Sequence, residues 1–168
     1  IHAGIYYPPN SLKAQLCVRG KQLLYEYCEE HKVEYKRCGK LIVSTETDEE
    51  ERLCELREKA DANGVIDLEF WSSRKVKAEE PSVKATLALF SPSTGVVNSH
   101  DLMTSYLADI EACGGMFIGG SLVRHIEPVN ERFIVNCNLE GESYTFECGV
   151  LVNSAGLGAQ ALAENIAG

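Results

Sequence analysis

A mixed α/β (α+β) fold is predicted by three features of this chain. Stretches with helical spacing alternate with short β-branched or aromatic runs through its first part. A series of short extended runs separated by Asn-, Glu- and Gly-containing turns follows, and the end reads as a strand, a Gly-containing turn and a helix. The 168 residues suffice for one domain or two small lobes, and 45% hydrophobic with 24% charged residues is ordinary for a packed globular protein.

The first helix is expected from about Asn10 to His31, because Leu12, Leu16, Leu23, Leu24 and Tyr27 share one face and Asn10 or Ser11 can cap it. Leu41-Ile42-Val43 reads as a strand. Thr47 and Glu50 have capping-box spacing, and the helix they start should stop at Asn63-Gly64, where Gly accepts the left-handed turn. Ile66 to Trp71 is predicted extended, and Ser72 or Ser73 caps a short helix that ends before Pro81. Ala85 to Phe90 is the next strand, closed by Ser91-Pro92-Ser93-Thr94-Gly95. Asn98 or Ser99 caps a helix whose apolar face is Leu102, Tyr106, Leu107 and Ile110, and Gly114-Gly115 ends it. Five extended runs follow: Met116 to Ile118, Leu122 to Ile126, Phe133 to Cys137, Tyr144 to Cys148 and Val150 to Asn153. The final helix contains Ala159, Leu162, Ala163 and Ile166.

Charge and cysteines exclude several functions. A formal net charge of -9 disfavours nucleic acid and anionic membranes, since both demand clustered Lys and Arg. No apolar run approaches the ~20 residues needed to span a bilayer. The seven cysteines are scattered, with no C-x-x-C pair and no His at zinc-ligand spacing, so free thiols in a reducing compartment are expected and no metal site. Ile1 to Pro9 and Val150 to Gly158 both read as interior motifs, with no Met before the first and no Gly-rich nucleotide turn. A fragment of a larger protein is expected.

Two segments carry chemistry. In Val150 to Gly158, a buried strand ending in small residues would expose backbone N–H groups at a helix start, where phosphate is favoured; tight packing alone is the competing explanation. In Ile1 to Pro9, one His, two Tyr and two Pro place polar groups on a stiff segment ahead of a helix; a core-lining loop is the competing explanation. Of the other histidines, His31 suits a helix C-terminus, His100 a helix start, and His125 a strand surface.

Taken together, Ile1-His2-Ala3-Gly4-Ile5-Tyr6-Tyr7-Pro8-Pro9-x-Ser11-Leu12-Lys13-Ala14, Cys38-Gly39-Lys40-Leu41-Ile42-Val43, Leu89-x-Ser91-Pro92-x-Thr94-Gly95 and Val152-Asn153-Ser154-Ala155-Gly156-Leu157 resemble the L-2-hydroxyglutarate dehydrogenases. These are FAD-dependent oxidoreductases related to D-amino-acid, glycine and sarcosine oxidases and to glycerol-3-phosphate dehydrogenase. The resemblance covers essentially the whole chain in order.

It implies a two-lobed fold, with residues 1–31 and 96–168 in a partial Rossmann-like FAD lobe and 32–95 in a partial substrate lobe built on a mixed sheet. It also implies oxidation of L-2-hydroxyglutarate to 2-oxoglutarate by hydride transfer to flavin N5. Electrons would pass to a quinone or an electron-transfer protein. The parent enzyme would be mitochondrial in a eukaryote, and cytoplasmic or peripheral to the inner membrane in a bacterium. Carried over by position, His2, Ala3 and Gly4 would lie near the isoalloxazine ring and Val123 near the adenine. Ser154, Ala155 and Gly156 would line the pyrophosphate or ribityl chain.

His2 is then the candidate base, since imidazole titrates near neutral pH. Tyr6, Tyr7, Lys13 and Lys40 are candidate substrate groups, because a dicarboxylate needs cationic anchors. The family's Gly-x-Gly-x-x-Gly segment, its acidic ribose ligand and its C-terminal substrate-binding segments do not occur here, so the segment alone is expected to bind FAD poorly and to be inactive. The alternatives are an amine or amino-acid oxidase of the same fold, or a non-catalytic truncated module.

Overall fold

The computed structural model describes residues 1–166. The chain divides into two compact units, Ile1–Cys113 and Gly114–Gly168, each with its own apolar core.

The first unit begins with the irregular segment 1–10, which turns at Ile5-Tyr6 and at Pro9-Asn10, and helix α1 (Leu12–His31). Ser11 is the N-cap: its Oγ accepts from the Ala14 N–H at 3.2 Å and donates to the Pro8 carbonyl at 2.7 Å, so one hydroxyl ends the loop and starts the helix. A ladder of β1 (Tyr35–Lys36) and β5 (Val96–Val97) went unforeseen, since two residues carry no periodicity. The main sheet has order β2-β4-β3, formed by Lys40–Ser44, Leu87–Ser91 and Glu69–Ser72, antiparallel throughout. α2 (Glu50–Ala62) contributes Leu53 and Ala60 to a core shared with Ala3, Ile5, Val65, Leu68 and Leu89. Ala3 and Ile5 are buried members of that core, so the opening segment is anchored by its own apolar residues.

Three expectations change in this unit. The capping box lies one residue earlier, at Glu46 and Glu49, because a single 3-10 turn, Thr47–Glu49, precedes α2. The strand expected at 66–71 is β3, Glu69–Ser72; Ile66 is 78% exposed and outside the ladder. Ser72 does cap α3 (Ser73–Glu79), its Oγ accepting from the Lys75 N–H. Asn98 caps α4 (Ser99–Ala112), but that helix has no fully buried residue, and Tyr106 and Ile110 of its predicted apolar face are exposed. α4 meets α1 through polar contacts and one ring pair, Tyr27 and Tyr106 with centroids 4.8 Å apart. Tyr27 Oη donates to Asp109 Oδ2 at 2.6 Å and lies 2.8 Å from Ser105 Oγ, and its ring stacks on His31 at 4.0 Å.

The second unit is a three-stranded meander, β6 (Ser121–Val129), β7 (Arg132–Leu139) and β8 (Glu142–Cys148), followed by α5 (Ala159–Glu164). Both hairpins turn on two residues of positive φ, Asn130-Glu131 (48° and 64°) and Glu140-Gly141 (52° and 93°), the conformation that suits strand twist. Ile126, Val135 and Cys137 form the core, with Val123, Phe133, Leu162 and Ile166 packed on it. Met116 to Ile118 and Val150 to Asn153 are not strands. Val150 and Val152 are 81% and 78% exposed, and a strand exists only where a neighbour completes its ladder; among the described residues none pairs with either run.

Candidate active site

In the first unit, alternation along the opening segment sorts its side chains. Ala3 and Ile5 turn into the core, while His2 and Tyr6 are left exposed beside half-buried Tyr7. Gly4 makes the bend at φ +94°, where a Cβ would stand 2.9 Å from Val18 Cγ2. The His2 and Tyr7 rings stack at 5.1 Å with 23° between planes, and Tyr6 meets His2 edge-on at 6.0 Å. Lys13 Nζ sits 4.8 Å above the Tyr7 ring, and Lys40 Nζ sits 4.5 Å above the Tyr6 ring. Thus His2, Tyr6, Tyr7, Lys13 and Lys40 form one cluster, with an ammonium on each tyrosine face.

The tautomer of His2 follows from one hydrogen bond. The Gly4 N–H, which can only donate, reaches His2 Nδ1 at 2.9 Å, so neutral His2 carries its proton on Nε2. Its pKa is lowered by burial first, then by the positive charges of Lys40 and Lys13. At neutral pH the cluster therefore presents an uncharged N–H donor between two cations. Asn63, at the end of α2, was not picked out from the sequence. Its Nδ2 donates to the carbonyls of Tyr7 at 2.9 Å and Gly4 at 3.3 Å.

In the second unit, Val123 and Ala155 border one cleft of about 370 Å³, together with Ser121, Leu122, Gly158 and Leu162. Ser154 and Gly156 are exposed and outside its lining. Asn153, also missed from the sequence, shapes the turn: its Oδ1 accepts from the Ala155 N–H at 3.2 Å and its Nδ2 donates to the Ala159 carbonyl at 2.8 Å. The Ala155 N–H is thereby occupied by Asn153. Apolar walls of Leu122, Val123 and Leu162 with Ser121 at the margin fit a flat heterocycle such as adenine.

Over residues 1–168 the chain matches the model of the family described as FAD dependent oxidoreductase. The chain belongs to that family. It is 38% identical to the mitochondrial L-2-hydroxyglutarate dehydrogenases of Pongo abelii and Homo sapiens, over 98% of its own length and 41% and 37% of theirs. The chain thus spans about two-fifths of the length of these curated relatives. Among solved structures, glycine oxidase from Geobacillus kaustophilus superposes with a TM-score of 0.79 at 16% identity, over 96% of this chain and 45% of that one. At that identity the likeness shows the fold, which is the mixed α/β fold of FAD-dependent oxidoreductases. FAD is accordingly the cofactor of the family to which the chain belongs. No described helix is long and apolar enough to cross a membrane.

Proposed function

We propose that the whole protein is an FAD-dependent dehydrogenase that oxidises L-2-hydroxyglutarate to 2-oxoglutarate, and that this chain supplies part of its substrate and cofactor sites. The carrying observation is the convergence of His2, two tyrosine-backed lysines and Tyr6 and Tyr7 on one solvent-accessible surface. The 38% identity to the named dehydrogenases supports the choice of substrate. By the same likeness the protein is mitochondrial if its source is a eukaryote. A bacterial form would be cytoplasmic or peripheral to the inner membrane.

Bound flavin supplies the acceptor for the hydride that leaves the substrate's C2 carbon. The residues of this chain would bind and orient the substrate, while its hydroxyl proton would pass to a base elsewhere in the whole protein. Lys13 and Lys40 would neutralise substrate carboxylates, which an ammonium does as a point charge. Tyr6 and Tyr7 hold those lysines by their ring faces and exclude water from one side. His2, neutral and protonated on Nε2, would donate a hydrogen bond to a substrate or flavin oxygen. Acting as the base at Nδ1 would require release of the Gly4 N–H, so the donor role fits this geometry better. Val123, Ser154, Ala155 and Gly156 would meet the adenine end and the chain of FAD, and residues 1–31 with 96–168 would belong to the FAD lobe.

An amine oxidase of the same fold is the second reading, favoured by the structural likeness to glycine oxidase. Full-length protein assayed with L-2-hydroxyglutarate, D-2-hydroxyglutarate, glycine and sarcosine separates the two. Turnover of the L-hydroxy acid alone is expected; turnover of amines alone would sink the first reading.

A further inference from the structure

We propose that Asn63 is the positioning residue of this site: its single side-chain amide, donating to Gly4 and Tyr7, holds His2 and Tyr7 in their stack. This inference rests on the reading of the cluster as the substrate side of the enzyme.

The end of α2 does not need this side chain. Gly64 takes the left-handed turn at φ +83°, its N–H reaching the Asp61 carbonyl at 2.9 Å, and the Val65 N–H reaches the Ala60 carbonyl at 2.9 Å. The backbone N–H of Asn63 is met by the Ala60 carbonyl at 3.0 Å. What the side chain does instead is cross to a segment nearly sixty positions away, with separations of 59 and 56 residues.

Its two acceptors grip both halves of the stack. Gly4 accepts through its carbonyl and gives its N–H to His2 Nδ1 at 2.9 Å, so the orientation of the imidazole is passed from Asn63 through one residue. Tyr7 accepts through its carbonyl while its ring lies on His2 at 5.1 Å. Only a primary amide offers two N–H groups from so short a side chain; Asp would set a carboxylate against two carbonyl oxygens. The amide also carries a cost. Asn63 Oδ1 is buried without a hydrogen-bond partner, which marks a side chain kept for its donors rather than for packing.

The test uses the full-length flavoenzyme with Asn63→Ala and Asn63→Asp. Both variants are expected to fold with wild-type flavin content, because the helix end is satisfied without the side chain. Hydrogen exchange of the Gly4 to Tyr7 amides should rise about 10-fold or more while α2 and the β2-β4-β3 sheet keep their protection. Per flavin, kcat/KM for L-2-hydroxyglutarate should fall about 10- to 100-fold, mostly in kcat. Failure of both variants to accumulate with flavin overturns the proposal, since it would make Asn63 a residue of the fold. So does unchanged exchange, or kcat/KM within about two-fold of wild type. A wild-type enzyme inert to L-2-hydroxyglutarate refutes the functional reading instead, and the exchange measurement still decides whether Asn63 holds the segment.

Discussion

Gly4→Ala perturbs the opening segment at its tightest point. The residue adopts φ +94°, a conformation an L-residue enters at a cost of about 1–3 kcal/mol. The new methyl would also lie 2.9 Å from Val18 Cγ2 and 3.5 Å from Cys17 Cβ, and relieving such overpacking costs about 1–3 kcal/mol. Val18 can shift in part, so a total of about 2–4 kcal/mol is expected. At about 2.1 cal/mol/K of unfolding entropy per residue, a parent about two and a half times this length shifts by about 1 °C per kcal/mol, so Tm in the full-length enzyme should drop by about 2–4 °C. Differential scanning calorimetry of wild type, Gly4→Ala, Val18→Ala and the double variant reads both parts of that cost. The methyl–methyl clash predicts that the two substitutions couple by about 1 kcal/mol or more, because Val18→Ala removes the obstacle. Gly4→Ala within about 0.5 kcal/mol of wild type, or strict additivity with Val18→Ala, would refute the account of this bend.

The other predictions concern charge, turns and the α1–α4 contact. Burial and Lys40 hold the His2 pKa below 6.5, so unfolded chains bind the proton more readily. The stability His2 contributes is therefore present above about pH 6.5 and lost as pH falls through its lowered folded value; Lys40→Met should move the His2 titration, followed by NMR of its ring protons, upward in pH. Removing either lysine charge, as Lys13→Met or Lys40→Met, should raise KM for a dicarboxylate about 10-fold or more while leaving flavin content unchanged. Glu131 sits at φ 64° in a two-residue turn where Gly is preferred, so Glu131→Gly should stabilise the hairpin by about 0.5–1 kcal/mol, read as a higher Tm. Tyr27→Phe deletes the bond to the Asp109 carboxylate and should lower the midpoint of denaturant unfolding with an unchanged slope.

What could be read in advance follows physical rules that are local. Ser11, Ser72 and Asn98 cap the helices they were expected to cap, because a cap needs only a hydroxyl or amide at one position. The meander was visible for the same reason, since its turns and period-two runs are written within a few residues. Val150 to Asn153 failed because apolar composition says that a segment can pair, not whether a neighbour is there. The face of α4 failed in part: Tyr106 meets Tyr27 of α1, but Ile110 is exposed and the other contacts with α1 are polar, through Ser105 and Asp109. Within the candidate site, His2, Tyr6 and Tyr7 lie close in sequence and were grouped from it, and Lys13 and Lys40 were added through the resemblance. Asn63 could not be found, because a helix-ending Asn-Gly pair already has a complete local explanation. Only the fold reveals that its amide is spent elsewhere.

Anaerobic mixing of the full-length, flavin-loaded enzyme with one equivalent of L-2-hydroxyglutarate tests the central claim most directly. The account predicts bleaching of the flavin absorbance with stoichiometric formation of 2-oxoglutarate, and neither with the D-enantiomer. An oxidised flavin that persists with the L-hydroxy acid, yet bleaches with glycine or sarcosine, would contradict it.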